Sequence, residues 1–159
     1  MQIRPIELKD NKKLARAIRF VLIEMRVPKV GTAYEDKELD TMFEAYEGPR
    51  SRYFVVEDQG RIFGGAGIAP LKAGGSEVCE LQKMYFMPEV RGKGLGREMI
   101  QCCLDFAKRC EYNLCYIETM PNMLDAQALY KKVGFEYIDR PMGDTGHRSC
   151  PVWLTKSLI

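Results

Sequence analysis

The stretch VRGKGLGREMI, Val90 to Ile100, sets three glycines at alternate positions, Gly92, Gly94 and Gly96, with Arg91 and Arg97 on either side and Lys93 inside the run. No other feature narrows the possible folds as much. Glycine takes positive φ without a Cβ penalty and lets another group come close to the backbone. A plain turn needs one such residue. Three in alternation, each costing backbone entropy, point to a loop that cradles something. Upstream, EVCELQKMYFMP (77–88) reads as a strand stopped by Pro88. Downstream, Leu95, Met99, Cys102, Cys103, Phe106 and Cys110 recur at helical spacing through GREMIQCCLDFAKRCEY. The helix therefore turns its unpaired N–H groups and the positive end of its dipole toward the loop. With three cations around it, the natural ligand is an anion, phosphate above all.

Two phosphate templates fail on specific residues. In the triphosphate loop G-x-x-x-x-G-K-[ST] the lysine follows the last glycine. Here Lys93 precedes Gly94, and no Ser or Thr fills the magnesium position. In the dinucleotide fingerprint G-x-G-x-x-G the third glycine would stand where Arg97 is, although Glu118 lies about 20 residues on, as a ribose-binding acid would. That motif also opens its fold, whereas several elements precede this one.

Those elements read as follows. QIRPIE (2–7) is a short strand, and Pro5 restricts it to an edge. Leu8, Leu14, Ile18, Val21, Leu22 and Met25 predict an amphipathic helix over about 11–26. EDKELDTMFEAYE (35–47) reads as a second helix with Leu39, Met42, Phe43 and Tyr46 on one face, ended by Pro49. RYFVVED (52–58) and RIFGGAGIAPL (61–71) form a hairpin. After the glycine loop and its helix come LCYIETM (114–120) as a buried strand, a helix in MLDAQALYKKVGF closed by Gly134, and two strands in FEYIDR and CPVWLTKSL. The order β-α-α-β-β-β-α-β-α-β-β predicts one α/β (α+β) domain over 1–159: a mixed sheet of six to seven strands with about four helices packed on it.

MPEVRGKGLG (87–96) resembles the pantetheine-diphosphate loop of the GNAT superfamily of acyl-CoA-dependent N-acyltransferases, whose pattern [Q/R]-x-x-G-x-[G/A] is met by Arg91, Gly94 and Gly96. ALYKKVGFE (128–136) is similar to the family's second signature, built here on Ala126, Leu129, Tyr130, Gly134 and Phe135. The spacing between the signatures and the element order of the whole chain also fit. The family usually has Asn three residues before that alanine; here Met123 takes the place and Asn122 stands one earlier.

The resemblance implies a GNAT-type, mostly antiparallel sheet and acetyl transfer from acetyl-CoA to a primary amine of a small molecule or peptide, by direct attack in a ternary complex. It places the cofactor on Arg91, Gly92, Lys93, Gly94, Leu95, Gly96 and Arg97, with Asn122 and Ala126 beside them. Main-chain N–H groups near Met84, Tyr85 and Phe86 would face the thioester if the neighbouring strand splays away. Tyr130 matches the hydroxyl that assists the leaving thiolate. Glu80, on one strand face with Gln82 and Met84, stands where a general base is often placed, with Glu24 and Glu118 as rivals. The alternative is a non-catalytic acyl-CoA-binding sensor or interaction module.

Composition narrows the rest. Twenty-four basic against 22 acidic residues give +2, short of the basic excess of a nucleic-acid binder. Six cysteines without C-x-x-C, beside one histidine, give no expectation of a metal site. Cys102, Cys103 and Cys110 read as small buried side chains. His147 and Cys150 share a polar loop, where a nucleophilic pair is possible in principle but substrate lining is the simpler role. Arg26, Lys29 and Arg148 in the rim loops favour an anionic acceptor. No apolar run approaches the roughly 18 residues of a membrane span. The expectation is a cytoplasmic monomer or homodimer.

Overall fold

A computed structural model describes residues 1–159. Its strands are β1 (Gln2–Pro5), β2 (Arg52–Asp58), β3 (Arg61–Pro70), β4 (Val78–Phe86), β5 (Leu114–Thr119), β6 (Glu136–Ile138) and β7 (Val152–Ser157). They form one seven-stranded sheet in the order β1-β2-β3-β4-β5-β7-β6. Every neighbouring pair is antiparallel except β4 and β5. The helices are α1 (Asn11–Glu24), α2 (Met42–Ala45), α3 (Leu95–Arg109) and α4 (Leu124–Lys132). β1 is an edge strand, so Pro5 removes no ladder donor the sheet depends on.

Two-residue alternation along β2 distributes the core. Tyr53 and Val55 face α1, whose Leu14, Ile18 and Leu22 are fully buried there. Phe54 and Val56 face the opposite side, where Met99, Ile100, Cys103, Leu104 and Phe106 of α3 pack with Tyr130 of α4. Each fully buried leucine or isoleucine contributes roughly 1.5–3 kcal/mol relative to exposure, so both helix layers are fixed to the sheet chiefly by their apolar stripes. All six cysteines are free, and Cys79, Cys103 and Cys115 are core side chains.

Two sequence expectations change. First, no continuous helix covers 35–47. The segment makes 3-10 turns at Ala33–Glu35 and Lys37–Asp40, and α2 is a single turn. Leu39, Met42 and Tyr46 are buried as the spacing requires. The helix is broken because Asp36 leaves it to ion-pair with Lys83 and His147, and because Phe43 N–H takes its partner from Asn11 Oδ1 of α1 at 2.8 Å. Second, Met84 does not share a face with Glu80 and Gln82. Gly65 pairs with Tyr85 but Gly67 with Gln82, so Lys83 and Met84 together oppose Ala66 in a β-bulge. Lys83 sits at φ +48. Beyond the bulge the alternation is inverted, and Met84 and Phe86 pack with the α3 core. Leu8, placed on α1 by its spacing, lies in a 3-10 turn before the helix and is exposed.

Candidate active site

The glycine loop leaves β4, makes a 3-10 turn at Pro88–Val90 and opens α3. Gly92 and Gly94 lie at φ +71 and +79, and a Cβ on either would meet nothing within 4 Å. Both are therefore required by conformation, and the space they leave lies over the start of α3. Gly96 has a packing reason instead: a Cβ there would meet Leu129 of α4 at 2.8 Å. Of the three loop cations only Arg91 is ion-paired. Its guanidinium is held by both oxygens of Glu24 at 2.7 and 3.0 Å, and its Nε donates to the Phe86 carbonyl at 2.8 Å. Arg91 thus ties the loop to the C-terminal end of α1, and Lys93 and Arg97 carry the loop's uncommitted charge. The Arg91 hydrogen bond also holds the Glu24 carboxyl below its ordinary pKa.

Next to the loop the sheet opens. β4 and β5 pair only over Val78–Leu114, Cys79–Cys115 and Glu80–Tyr116. Beyond Glu80 they part around the bulge, and a narrow crevice forms. β4 lines one wall with Glu80, Gln82 and Met84, β5 the other with Ile117, Glu118 and Thr119, and Tyr130 and Cys150 close it. Met87 N–H donates to Phe63 O of β3 at 2.8 Å. Pleat alternation then assigns the Tyr85 N–H to β3 as well, and turns those of Met84 and Phe86 to the open β5 edge.

Tyr130 is buried edge-on against Phe135, with ring centroids 6.0 Å apart. Its hydroxyl makes no hydrogen bond within the chain, yet no sealed side-chain oxygen lacks a partner, so it opens on the crevice. Burial raises its pKa well above the ordinary phenol value.

Glu80 is the buried carboxylate of the site, 4% exposed. Its Oε2 accepts from Gln82 Nε2 at 2.6 Å, and Gln82 Oε1 accepts from Tyr46 at 2.6 Å. Its Oε1 has no partner in the chain and is not sealed. Burial pushes the Glu80 pKa up, reinforced by the nearby charge of Glu118 and opposed by Gln82 and His147. Glu80, Glu118 and His147 bring one ligand atom each within 4.8 Å of the others. Glu118 is held by the hydroxyls of Tyr116 at 2.7 Å and Thr145 at 2.6 Å.

A second cavity, about 260 Å³, lies on the other side of Glu80 and shares Glu80, Gln82, Lys83 and His147 with the crevice. Asp36, Glu38, Tyr46, Lys72, Asp144 and Thr145 complete its polar lining. Asp36 sits between Lys83 Nζ at 3.2 Å and His147 Nε2 at 3.0 Å. Burial alone would lower the His147 pKa, but the hydrogen bond and charge of Asp36 outweigh it and raise it. The 141–149 loop, which lines this cavity with Asp144, Thr145 and His147, is fastened through Asp144 N to Lys72 O at 2.8 Å and Ser149 N to Gly31 O at 3.1 Å. A wider hollow of about 510 Å³ near Arg50, Ser76 and Arg109 lies at the far end of β4, away from all of these groups.

The family model of the acetyltransferase (GNAT) family matches residues 19–135. The chain belongs to the GNAT family of acetyltransferases. It is 41% identical over 157 residues to YjgM of Escherichia coli K12, an uncharacterized N-acetyltransferase, covering 98% of this chain and 94% of that one. Its fold is shared with a GNAT acetyltransferase from Staphylococcus aureus Mu50, at TM-score 0.88 and 17% identity over 99% of both chains. It is also shared with yncA from Salmonella typhimurium, solved with its cofactor acetyl-CoA, at TM-score 0.76 and 19% identity over 100% of this chain and 94% of that one.

GNAT acetyltransferases use acetyl-CoA, and the open glycine cradle, the free cations Lys93 and Arg97 and the parted strands suit such a ligand. Of the residues expected to touch it, Gly92, Lys93, Gly94, Leu95, Gly96, Arg97 and the Met84 and Phe86 backbones lie around one loop and one crevice. Ala126 is half-buried between the two cores, and Asn122 donates to the Met25 carbonyl at 2.9 Å, fastening α4 to the end of α1. Of the three cations expected to favour an anionic acceptor, Lys29 lies over the Tyr34 ring at 5.4 Å, and none of Arg26, Lys29 and Arg148 lines the cavity. Sequence reading missed Asp36, Glu38, Lys83, Tyr46, Asp144 and Thr145. They come from separate segments, and no local spacing marks them.

Proposed function

We propose that this GNAT acetyltransferase moves the acetyl group of acetyl-CoA to a primary amine of a small molecule, by direct attack in a ternary complex. The observation that carries the reading is the free Oε1 of buried Glu80 at the junction of the two spaces. The crevice beside Tyr130 receives the thioester end, and the outer cavity receives the acceptor. Acetyl-CoA supplies an activated acyl group. The chain's own residues do the remaining work.

The amine enters largely protonated near neutrality. Glu80, its pKa raised by burial, is better matched to taking that proton than an ordinary surface carboxylate would be. The amine nitrogen then forms its bond to the acyl carbon as the carbon–sulfur bond breaks, and the extra proton left on that nitrogen passes to the departing thiolate, which leaves as the free thiol. The Met84 and Phe86 N–H groups on the open edge can stabilise the charge that develops on the acyl oxygen. The Tyr130 phenol stays protonated and gives the departing sulfur a hydrogen bond. The Cys150 thiol, pushed up to about 12 by burial and the surrounding carboxylates, is poorly suited to a covalent route. No helix is long and apolar enough to cross a membrane, and six free cysteines suit a reducing cytoplasm.

The test is thiol release from acetyl-CoA over a panel of primary amines, paired with a Tyr130→Phe variant. The variant is expected to lose roughly tenfold in kcat, about the worth of one such hydrogen bond, while its acetyl-CoA affinity is unchanged. An acetyl-CoA thermal shift with no thiol release from any amine would instead support a sensor or interaction module.

A further inference from the structure

We infer that the acceptor is a short diamine or polyamine, whose reacting nitrogen sits between Glu80 and Glu118 and whose second cationic nitrogen lies at the rim near Glu38 and Asp144. This rests on the proposed acetyl transfer and names its acceptor class. The argument starts from the charges lining the outer cavity. Asp36 is already shared by two cations, Lys83 and His147. Glu80 and Glu38 have no cationic partner within 4 Å, and the lining's remaining cation, Lys72, lies 3.8 Å from Asp144, with both side chains exposed. Glu118, just behind Glu80, is held by two hydroxyls and no cation.

The deep end makes the stronger demand. Glu80 is 4% exposed, and its Oε1 opens on the cavity without a partner. The positive groups near it, His147 and Lys83, are already shared with Asp36, so a further cation lowers the cost of a carboxylate buried there. An ammonium group has three donors and fits a site where Glu80 and Glu118 each offer an oxygen within 4.8 Å of the other. An acceptor bearing a carboxylate next to its amine would bring a third anion to the same place. The cavity, about 260 Å³, has room for a small molecule such as a short diamine or small polyamine.

Three acceptors of equal length test the inference: 1,5-diaminopentane, 1-aminopentane and 5-aminopentanoic acid, each assayed by thiol release with saturating acetyl-CoA. The diamine is expected to exceed the monoamine at least tenfold in kcat/KM, mostly through KM, with the amino acid lowest. In the double variant Glu38→Gln, Asp144→Asn the diamine-to-monoamine ratio should fall about threefold to tenfold. Both positions are exposed, and a far-ultraviolet spectrum and melting temperature confirm folding. Equal rates for the three amines, or a preference for the amino acid, would overturn the inference and leave acetyl transfer standing. Turnover that requires a divalent metal and stops with a chelator would also overturn it, by assigning the Glu80–Glu118–His147 cluster to a metal. If no amine in this set or in the broader panel releases thiol, acetyl transfer itself fails.

Discussion

The two halves of the site are built differently. The proposed cofactor half is almost continuous in the chain, from the end of β4 through the glycine loop to the start of α3, with Tyr130 of α4 added. It offers mostly backbone, with left-handed glycines, helix-start N–H groups and the open edge of β4. The proposed acceptor half draws Asp36, Tyr46, Glu80, Glu118 and His147 from five stretches of sequence and offers side chains. Backbone recognition forces particular residues into particular places, because only glycine takes φ +79 cheaply and only a short residue fits under Leu129. Side-chain recognition leaves the residue free so long as the charge arrives from somewhere.

Substitutions that strike one half and spare the other test this division. The largest effect is expected from Gly94→Asp, which adds left-handed strain and a carboxylate to the cradle. Acetyl-CoA affinity by calorimetry should fall at least a hundredfold, combining strain of about 1–2 kcal/mol with charge repulsion. The melting temperature without ligand should move by only a few degrees. A change in affinity below about fivefold would mean that the cradle is not the binding site.

Glu80→Gln comes next and strikes the acceptor half. Loss of a general base costs roughly 10²–10⁴ in kcat, and acetyl-CoA affinity should stay within about twofold of the parent. The raised Glu80 pKa places the rise of kcat/KM with pH above the ordinary carboxylate range, and this rise should vanish in the variant. A rise that persists unchanged would transfer the role of base to Glu118 or to another group.

Arg91→Ala probes the seam between the loop and α1. The Arg91–Glu24 pair is about one-third exposed on both sides, so it is worth under about 1 kcal/mol of stability. Acetyl-CoA affinity should weaken by roughly threefold to tenfold through loosening of the loop, and Glu24→Gln should reproduce most of that loss. If Arg91→Ala acts strongly while Glu24→Gln does nothing, Arg91 instead meets the ligand directly.

The smallest effect concerns the fastening of the acceptor loop. His147 faces Asp36, Glu80 and Lys83, and its pKa is raised in the folded chain. The stability it contributes is present in full below the unfolded value near 6.5 and is lost as pH rises through the folded value. The Asp36 pKa is lowered: burial opposes this, and the hydrogen bond from His147 and the charge of Lys83 outweigh it. Its contribution is lost only as pH falls through that lowered value. Denaturant titrations of the parent should show stability declining above about pH 6.5, and His147→Asn should flatten that decline. A parent profile that matches the variant would show that the ion pair does not fasten the loop.

Particular residues show how far the sequence could be read. Alternation in RYFVVED gave both faces of β2, and the spacing of Met99, Cys103 and Phe106 gave the buried stripe of α3, because each pattern depends only on near neighbours. The helix expected at 35–47 kept its buried residues but lost its regularity, because Asp36 answers to Lys83 and His147, distant in sequence. The face of Met84 was misassigned because a bulge at Lys83 inverts the alternation, and nothing in ELQKMYF announces it. Glu80 was legible only through the position of its strand before the loop. Its free oxygen, and its approach to Glu118 and His147, were not.

The sequence by itself determined the glycine loop, most of the order of the elements and the family, since glycine geometry and hydrophobic period act over a few residues. Only the tertiary structure decided that β4 and β5 part beyond Glu80, that Arg91 serves Glu24, and that acidic side chains from separate segments meet around one cavity. Such meetings depend on sheet order and bulge position, which distribute contacts over the whole chain and leave no period in any short stretch of it.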